Sequence, residues 1–574
     1  MSVQGKALAP PPEPPAAPGQ PAPAGRPHGI AALPAGRRTK YIVIAFWLVI
    51  VALAAPLAGK LLGAEKNDPS AYLPASAQST RELNLQAQFT GKNLNPAVVV
   101  YVRQPALTPA DLRKAAADAR TFAALPQVHG RVAGPVPAGD HQATETVVGA
   151  SPGSNDIQAF VSHLQAVASH GDPGLHVYLT GPAANAADQL KVFKGIDSTL
   201  LYATLAVVIV LLLLTYRSPL LWLLPIGTAG VSLTAAQAAI YLLTKHGLTV
   251  NGQSGGILVV LVLGASTDYA LLLVARYREE LRRHADRHEA MAIALHRAGP
   301  AIIASAATVV AGTLCLLVAQ SADISGLGPV AAIGIAVGLL ATVTLLPALL
   351  VTLGRWVFWP LRPQFGSAEP TTQGLWARVG RAIAKRPRAV WAVTSLVLAA
   401  SALGLAGYHV GLLTSAQSYR GTPSSISGEQ VLAHHFPAGA GEPVVVIGKA
   451  AAAGQLRSQL TRTAGIQAVT PPVLKRGLVM VQGTLSARPD SPAAYTTVQR
   501  VRANVGVVPG ANAVVGGGTA VAMDVEHYAT RDRNVTIPLV LFVVMVILAL
   551  LLRAVVAPLL LIGTVVLSFG PRWG

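Results

Sequence analysis

A mainly α-helical, multi-pass membrane fold with two α/β extracytoplasmic domains and an internal repeat is predicted by three observations. Apolar residues gather in long runs, two long polar stretches interrupt those runs, and part of the chain is duplicated in register. Of 574 residues, 52% are hydrophobic and only 12% charged, with a mean hydropathy of +0.49; soluble globular chains do not have this balance. Runs such as Leu200 to Leu214, Gly256 to Val274 and Pro329 to Leu353 approach or exceed the roughly 20 apolar residues that cross a hydrocarbon core.

Residues 1–36, rich in Pro, Ala and Gly, lack the apolar content to bury a core and are expected to form a disordered cytoplasmic arm without the layout of a signal peptide. A first span is assigned to 37–62, and Arg37, Arg38 and Lys40 before its apolar run place the N-terminus in the cytoplasm. Residues 63–198 read as a first α/β extracytoplasmic domain. Within it, Pro96 to Val102 is a strand, and Thr108 followed by Asp111 caps a helix to about Leu125. Residues 199–354 hold five spans, 355–388 a basic cytoplasmic linker with Trp356, Trp359 and Trp376, and 389–410 a seventh span. A second α/β extracytoplasmic domain is expected at 411–534, with a strand at Pro443 to Gly448 and a helix at Ala452 to Thr463. Residues 535–574 then hold an eighth span and a ninth that stops at Gly574.

The charge distribution checks the topology. Arg276, Arg278, Arg282, Arg283, Arg287 and Arg297 lie around the connection between the fourth and fifth spans, whereas Ser321 to Leu327, on the opposite side, has no Lys or Arg. The net charge of +19 is therefore positive-inside patterning, and with aromatics at 5% a nucleic-acid partner is excluded. The single cysteine, Cys315, reads as a small buried hydrophobe, and His434-His435 as solvated surface. No metal-ligand spacing, nucleophile constellation or Walker loop stands out, Gly516-Gly517-Gly518 included, so neither an enzyme nor a cofactor is expected.

Sliding the chain by 336 positions aligns Gly181 to Ser232 with Gly517 to Ser568 without a gap. Shared Leu and Val mean little between apolar helices. The polar and glycine matches carry the case: Gly181 with Gly517, Asp188 with Asp524, Arg217 with Arg553, and Gly227, Thr228 and Ser232 with Gly563, Thr564 and Ser568. Parallel duplication of this kind is a transporter architecture.

The segment richest in chemistry is Gly264-Ala265-Ser266-Thr267-Asp268-Tyr269 in the fourth span. An Asp at the centre of a membrane helix costs roughly 2.5–3.5 kcal/mol on insertion scales, so it should face a protein interior or a wet cavity. Asp268 is the candidate proton carrier; packing by hydrogen bond is the competing role. Tyr269 can hydrogen-bond that carboxylate or a neighbouring helix, and Ser266 and Thr267 supply hydroxyls. In the fifth span Ser305 and Thr308 share a face, and interhelical glue and proton relay are equally open to them. Gly334 and Gly338 read as a close-packing pair.

This pattern resembles the MmpL family of the RND superfamily, exporters of cell-envelope lipids and lipophilic molecules. The resemblance runs from about Arg37 to Ser568. It rests on the span–ectodomain–spans repeat, on Asp268-Tyr269 and on Arg276-Tyr277-Arg278-Glu279-Glu280. It implies porter-like external domains, a proton relay at Asp268 and Tyr269 with Ser305 nearby, and a location in the bacterial inner membrane. It also implies twelve spans and a second Asp-Tyr pair, which the repeat offset places beyond Gly574. The chain is thus expected to be a C-terminally truncated member. The function expected is proton-motive-force-driven export of lipids or other hydrophobic compounds, with protons and membrane lipids as partners. A homo-oligomer, or a complementing polypeptide carrying the missing helices, would complete it. The alternative is a transport-incompetent remnant or a binding or regulatory subunit of a split exporter.

Overall fold

The computed structural model describes residues 30–569, apart from 66–71, 91–95, 129–131, 150–155, 171–173, 368–374, 404–420, 437–438, 440 and 490. The first half runs α1 (Thr39–Ala58), α2 (Leu61–Ala64), α3 (Gln78–Thr90), β1 (Ala97–Val102), α4 (Pro109–Ala123), β2 (Ala133–Pro137), β3 (Ala143–Val148), α5 (Ile157–Ala168) and β4 (His176–Thr180). Helices α6 (Pro182–Tyr216), α7 (Leu223–Thr244), α8 (Gly252–Arg283), α9 (Arg287–Leu314) and α10 (Ala322–Leu353) follow, then α11 (Leu375–Lys385) and α12 (Pro387–Leu403). The second half holds α13 (Ser424–His435), β5 (Val444–Lys449), α14 (Ala453–Arg462), β6 (Ile466–Val469), β7 (Val473–Lys475), β8 (Leu478–Leu485), α15 (Pro492–Gly506), β9 (Val514–Gly516), α16 (Gly518–Leu552) and α17 (Val556–Phe569).

Among the described residues six helices are long and apolar enough to cross a membrane, and three shorter apolar helices lie at Leu201–Tyr216, Pro387–Ser401 and Val556–Val566. Helices α7 to α10 form the centre of the bundle, around a core that includes Tyr269, Leu273, Tyr277, Met291, Ile302 and Leu346. Helix α1 packs on α7 and α10, and its Trp47 indole donates to Thr344 at 2.9 Å. Exposed apolar side chains such as Phe46, Leu53 and Leu550 remain on the outside, as lipid-facing surfaces require.

The expected arm lies mostly outside the described residues, but its last part does not behave as an arm. Ile30–Ala35 forms a 3-10 helix against α9 and α10. Ala35 is buried, and its carbonyl accepts from the His288 ring at 2.7 Å. Pro34 and Ala35, both buried, seat this short segment on the bundle.

Each half carries an antiparallel sheet, ordered β2-β3-β1-β4 in the first and β6-β8-β5-β9 in the second, with β7 pairing β8. The central strands β1 and β5 are continuous apolar runs rather than alternating ones, because both their faces are covered. In β1, Ala97, Val99 and Tyr101 pack on Phe122 and Phe160, whereas Val98, Val100 and Val102 pack on Leu432 of α13. In β5, Val444 and Val446 face Leu456 and Val498, whereas Val445 and Ile447 face Leu85 and Phe89 of α3. Each half therefore lends one helix to the other half's sheet.

The repeat explains how that exchange is fastened. Helices α6 and α16 are both 35 residues long, begin after Gly181 (φ 85°) and Gly517 (φ 98°), and end at left-handed Arg217 and Arg553. Asp188 of α6 accepts from the Ser425 amide at 3.0 Å, at the start of α13. Asp524 of α16 accepts from Ser79 Oγ at 2.6 Å and the Ser79 amide at 3.3 Å, at the start of α3. A carboxylate at a helix N-terminus satisfies an unpaired amide and complements the helix dipole.

Backbone at such a φ strongly favours glycine, and a Cβ at Gly517 would stand 2.4 Å from the Pro443 carbonyl oxygen, against 3.1 Å to that of Pro96 at Gly181. Gly517→Ala is expected to lower stability by about 1–3 kcal/mol, and by more than Gly181→Ala does. Thermal unfolding of the two variants checks the order, and the reverse order would show that this contact does not decide the cost.

His434 is exposed, as the sequence suggests. His435 is not solvated surface: its side chain is 6% exposed and contacts Asp140, because α13 lies on the first sheet.

Candidate functional site

Asp268 stands midway along α8, in a stripe of exposed positions four apart formed by Gly264, Asp268 and Leu272. The other faces of α8 are covered by α6, α7, α9 and α10. The sequence asks for a protein interior or a wet cavity around Asp268, and among the described residues this position is exposed. The helical period puts its stripe on the side those neighbours leave open. No hydrogen bond or ion pair reaches its carboxylate from the described residues.

Ser266 is brought elsewhere. Two residues along a helix turn the direction by about 200°, and Ser266 lies buried under Gly338 of α10, where a Cβ would stand 2.8 Å from its Oγ. At Gly334 a Cβ would stand 2.5 Å from Leu258 and 2.8 Å from Val262. The two glycines let α10 lie close on α8.

Tyr269 is 1% exposed and lies in the core shared with Ile302 and Ala306 of α9. Ser305 of α9 is close to the Tyr269 hydroxyl, although that hydroxyl makes no hydrogen bond of ordinary geometry. The hydroxyls of Ser266 and of Thr342 on α10 are also buried without a partner. The Thr308 hydroxyl turns back to the Ala304 carbonyl at 2.8 Å, and that of Thr267 to the Leu263 carbonyl at 2.7 Å. The structure thus gathers Asp268, Tyr269 and Ser305 and separates Ser266 from them. Unpartnered hydroxyls inside a helix bundle suit a path that a proton or water uses.

A second cluster, at the basic end of the bundle, was legible as a charge pattern and as the Arg276 to Glu280 motif, without its ion pairs. Glu280 is fully buried and takes ion pairs from Arg276 at 3.0 Å and Arg297 of α9 at 2.9 Å, with His284 at 3.4 Å. Arg355 donates to the carbonyls of Leu281, His284 and Ala285 at 3.0, 2.8 and 2.9 Å, closing the C-terminus of α8. Outside the spans, Asp286 is held below the usual carboxylate range by the His288 amide and by Arg37.

At the other end, Asp532 of α16 accepts from the Gln320 and Ser321 amides at 2.9 and 2.8 Å, capping α10. Helix α16 therefore leaves the second sheet, crosses the α9–α10 connection and continues along α9, where Gly312 faces Val540 and Val544. It links the second α/β domain and the bundle as one continuous helix.

Residues 71–390 and 476–574 match the MMPL family. The chain belongs to the MMPL family. Among its relatives, the putative membrane protein ActII-3 of Streptomyces coelicolor is 51% identical over 541 residues, covering 93% of this chain and 76% of that protein. The apo-petrobactin exporter of Bacillus anthracis is 28% identical over 600 residues, 94% of this chain and 80% of the exporter. The sulfolipid-1 exporter MmpL8 of Mycobacterium tuberculosis is 32% identical over 425 residues, 70% of this chain but 38% of its own length. MMPL membership accounts for the multi-pass helices and the two α/β domains, and it bears out the resemblance read from the repeat and from Asp268-Tyr269.

Proposed function

We propose that this MMPL chain drives export of a lipid or other hydrophobic compound from a bacterial inner membrane, using proton uptake from outside and proton release inside. The observation that carries the reading is Asp268, a carboxylate without a hydrogen-bond or ion-pair partner among the described residues, halfway along a membrane helix and beside Ser305 and buried Tyr269. An ionisable residue in the middle of a membrane span is costly to place there, and such residues mark proton or ion paths. Two relatives named as exporters, one of a sulfolipid, support the substrate class.

The basic end, with Arg276, Arg283, Arg297 and Arg355, is assigned to the cytoplasm, which puts the N-terminus there too. The open stripe of Gly264, Asp268 and Leu272 calls for a second membrane-embedded surface to seal the carboxylate, from another copy or from a complementing polypeptide. Movement would reach the external domains through α6 and α16, each continuous from a sheet into the bundle. Proteoliposomes with an imposed proton gradient test the reading. Efflux of a fluorescent lipophilic probe should require the gradient, and efflux indifferent to it would sink the proposal.

A further inference from the structure

The docks of α3 and α13 are equivalent except at one place. Glu82 of α3 and Gly428 of α13 each stand three residues beyond the serine that an aspartate caps, Ser79 and Ser425. In the α13 dock, Gly428 lies flat on β4, where a Cβ would stand 2.6 Å from the Leu179 carbonyl oxygen and 3.0 Å from Thr180. In the α3 dock the small residue is on the strand instead. Gly516 occupies the repeat position of Thr180, and a Cβ on it would come within 2.0 Å of Glu82 Oε2. The Glu82 carboxyl therefore fills the space that a side chain at 516 would take. Glu82 is 0% exposed, and neither oxygen has a hydrogen-bond partner of ordinary geometry. A carboxylate ion there gives up its hydration with little in return. Burial pushes the carboxyl up to about 8, and the Gly517 amide offsets only part of this.

We propose that Glu82 is a proton-binding site of the external domains, separate from Asp268, whose protonated form holds α3 docked on the second sheet and whose ionised form loosens that junction. The neutral acid fits the closed space against Gly516. The ion is better hydrated when α3 lifts from β9, so ionisation favours the lifted form.

Among the described residues, β9, β5 and α16 make the main contacts with α3, and Met480 and Leu478 of β8 share the apolar cluster of Leu85 and Phe89. Strand β9 carries no charge. The one charge of β5, Lys449, is exposed at its end, four residues from Val445, which pairs with Gly516. Helix α16 presents Asp524, held by Arg502 of α15 at 2.7 Å, with Glu526 and exposed His527 further along. Lys475 of β7 reaches the Phe89 carbonyl at the far end of α3, and Glu442 lies against Gly518.

The sign follows from linkage. Below the ordinary carboxylate range both docked and lifted forms are protonated. Between there and about 8 only the lifted form ionises, so docking weakens as pH rises. Above about 8 both are ionised and the loss levels off.

Hydrogen exchange of the full chain in lipid nanodiscs from pH 5 to 9, corrected for intrinsic exchange rates, tests this. Opening of residues 78–90 should rise by up to about tenfold per pH unit below pH 8 and then level off. In Glu82→Gln it should stay low and flat, whereas α13, with Gly428 at the equivalent place, should be flat in both proteins. A flat α3 profile in the wild type, or a slope that persists in Glu82→Gln, overturns the proposal. Should Glu82→Gln fail to fold, the contrast between α3 and α13 in the wild type decides alone. The readout is local docking, so it stands or falls independently of export and of Asp268.

Discussion

Asp268→Asn should reduce gradient-driven efflux to background while the protein inserts and folds as before. Asn keeps the size and polarity of the side chain but cannot exchange a proton. No described residue hydrogen-bonds or ion-pairs with the carboxylate, so its loss removes no bond to the described residues. Insertion should become easier, since a central Asp costs roughly 2.5–3.5 kcal/mol on insertion scales. Probe efflux and membrane-fraction yield, measured together on the same preparation, separate the outcomes. Lost efflux with normal yield supports the relay, lost yield supports a packing role, and retained efflux removes Asp268 from the mechanism. Tyr269→Phe refines the result. The hydroxyl removed is buried without a hydrogen-bond partner of ordinary geometry, so stability should hardly change and a fall in efflux would belong to proton movement.

The continuous apolar runs Val98-Val99-Val100 and Val444-Val445-Val446-Ile447 announce strands covered on both faces, and the structure has them. What covers the second faces was not legible. Leu85 and Leu432 are remote in sequence from the strands they meet, and α3 and α13 carry no pattern that names a partner. The repeat was readable in its fixed points, Gly181 and Gly517 before the long helices and Arg217 and Arg553 after them, because positive φ and helix ends restrict residue choice. Asp188 and Asp524 were visible as a matched pair, yet their task as caps of exchanged helices needs the three-dimensional arrangement. At the candidate relay, Asp268 and Tyr269 were found because a charge in an apolar run is costly wherever it points. Ser266 was grouped with them by proximity in sequence, and helical rotation takes it to the opposite side under Gly338. The Glu280 cluster was read as topology and as a family motif, since an Arg-rich connection does not reveal which carboxylate is buried among the arginines.

Asp524→Ala should cost the fold about 3–5 kcal/mol, the range for removing one member of a buried ion pair, whereas Asp188→Ala should cost about 1 kcal/mol, as the loss of a helix cap does. The two aspartates hold the same repeat position and cap equivalent helices, so a difference must come from what else they touch. Asp524 takes two bonds from Arg502, at 2.7 and 2.8 Å, in addition to those from Ser79. Asp188 takes the Ser425 amide at 3.0 Å and the Ser424 hydroxyl at 3.4 Å, with no described cation beside it. Removing Asp524 strands the Arg502 guanidinium, whose side chain is 20% exposed; that partial access to water places the loss toward the lower end of the range. Denaturant unfolding of the purified protein in detergent, followed in the external domains, gives both values. Arg502→Met added to Asp524→Ala should recover part of the loss, because the stranded charge goes with it. Equal costs for the two aspartates would mean that the Arg502 pair contributes nothing and that capping alone fastens the exchanged helices.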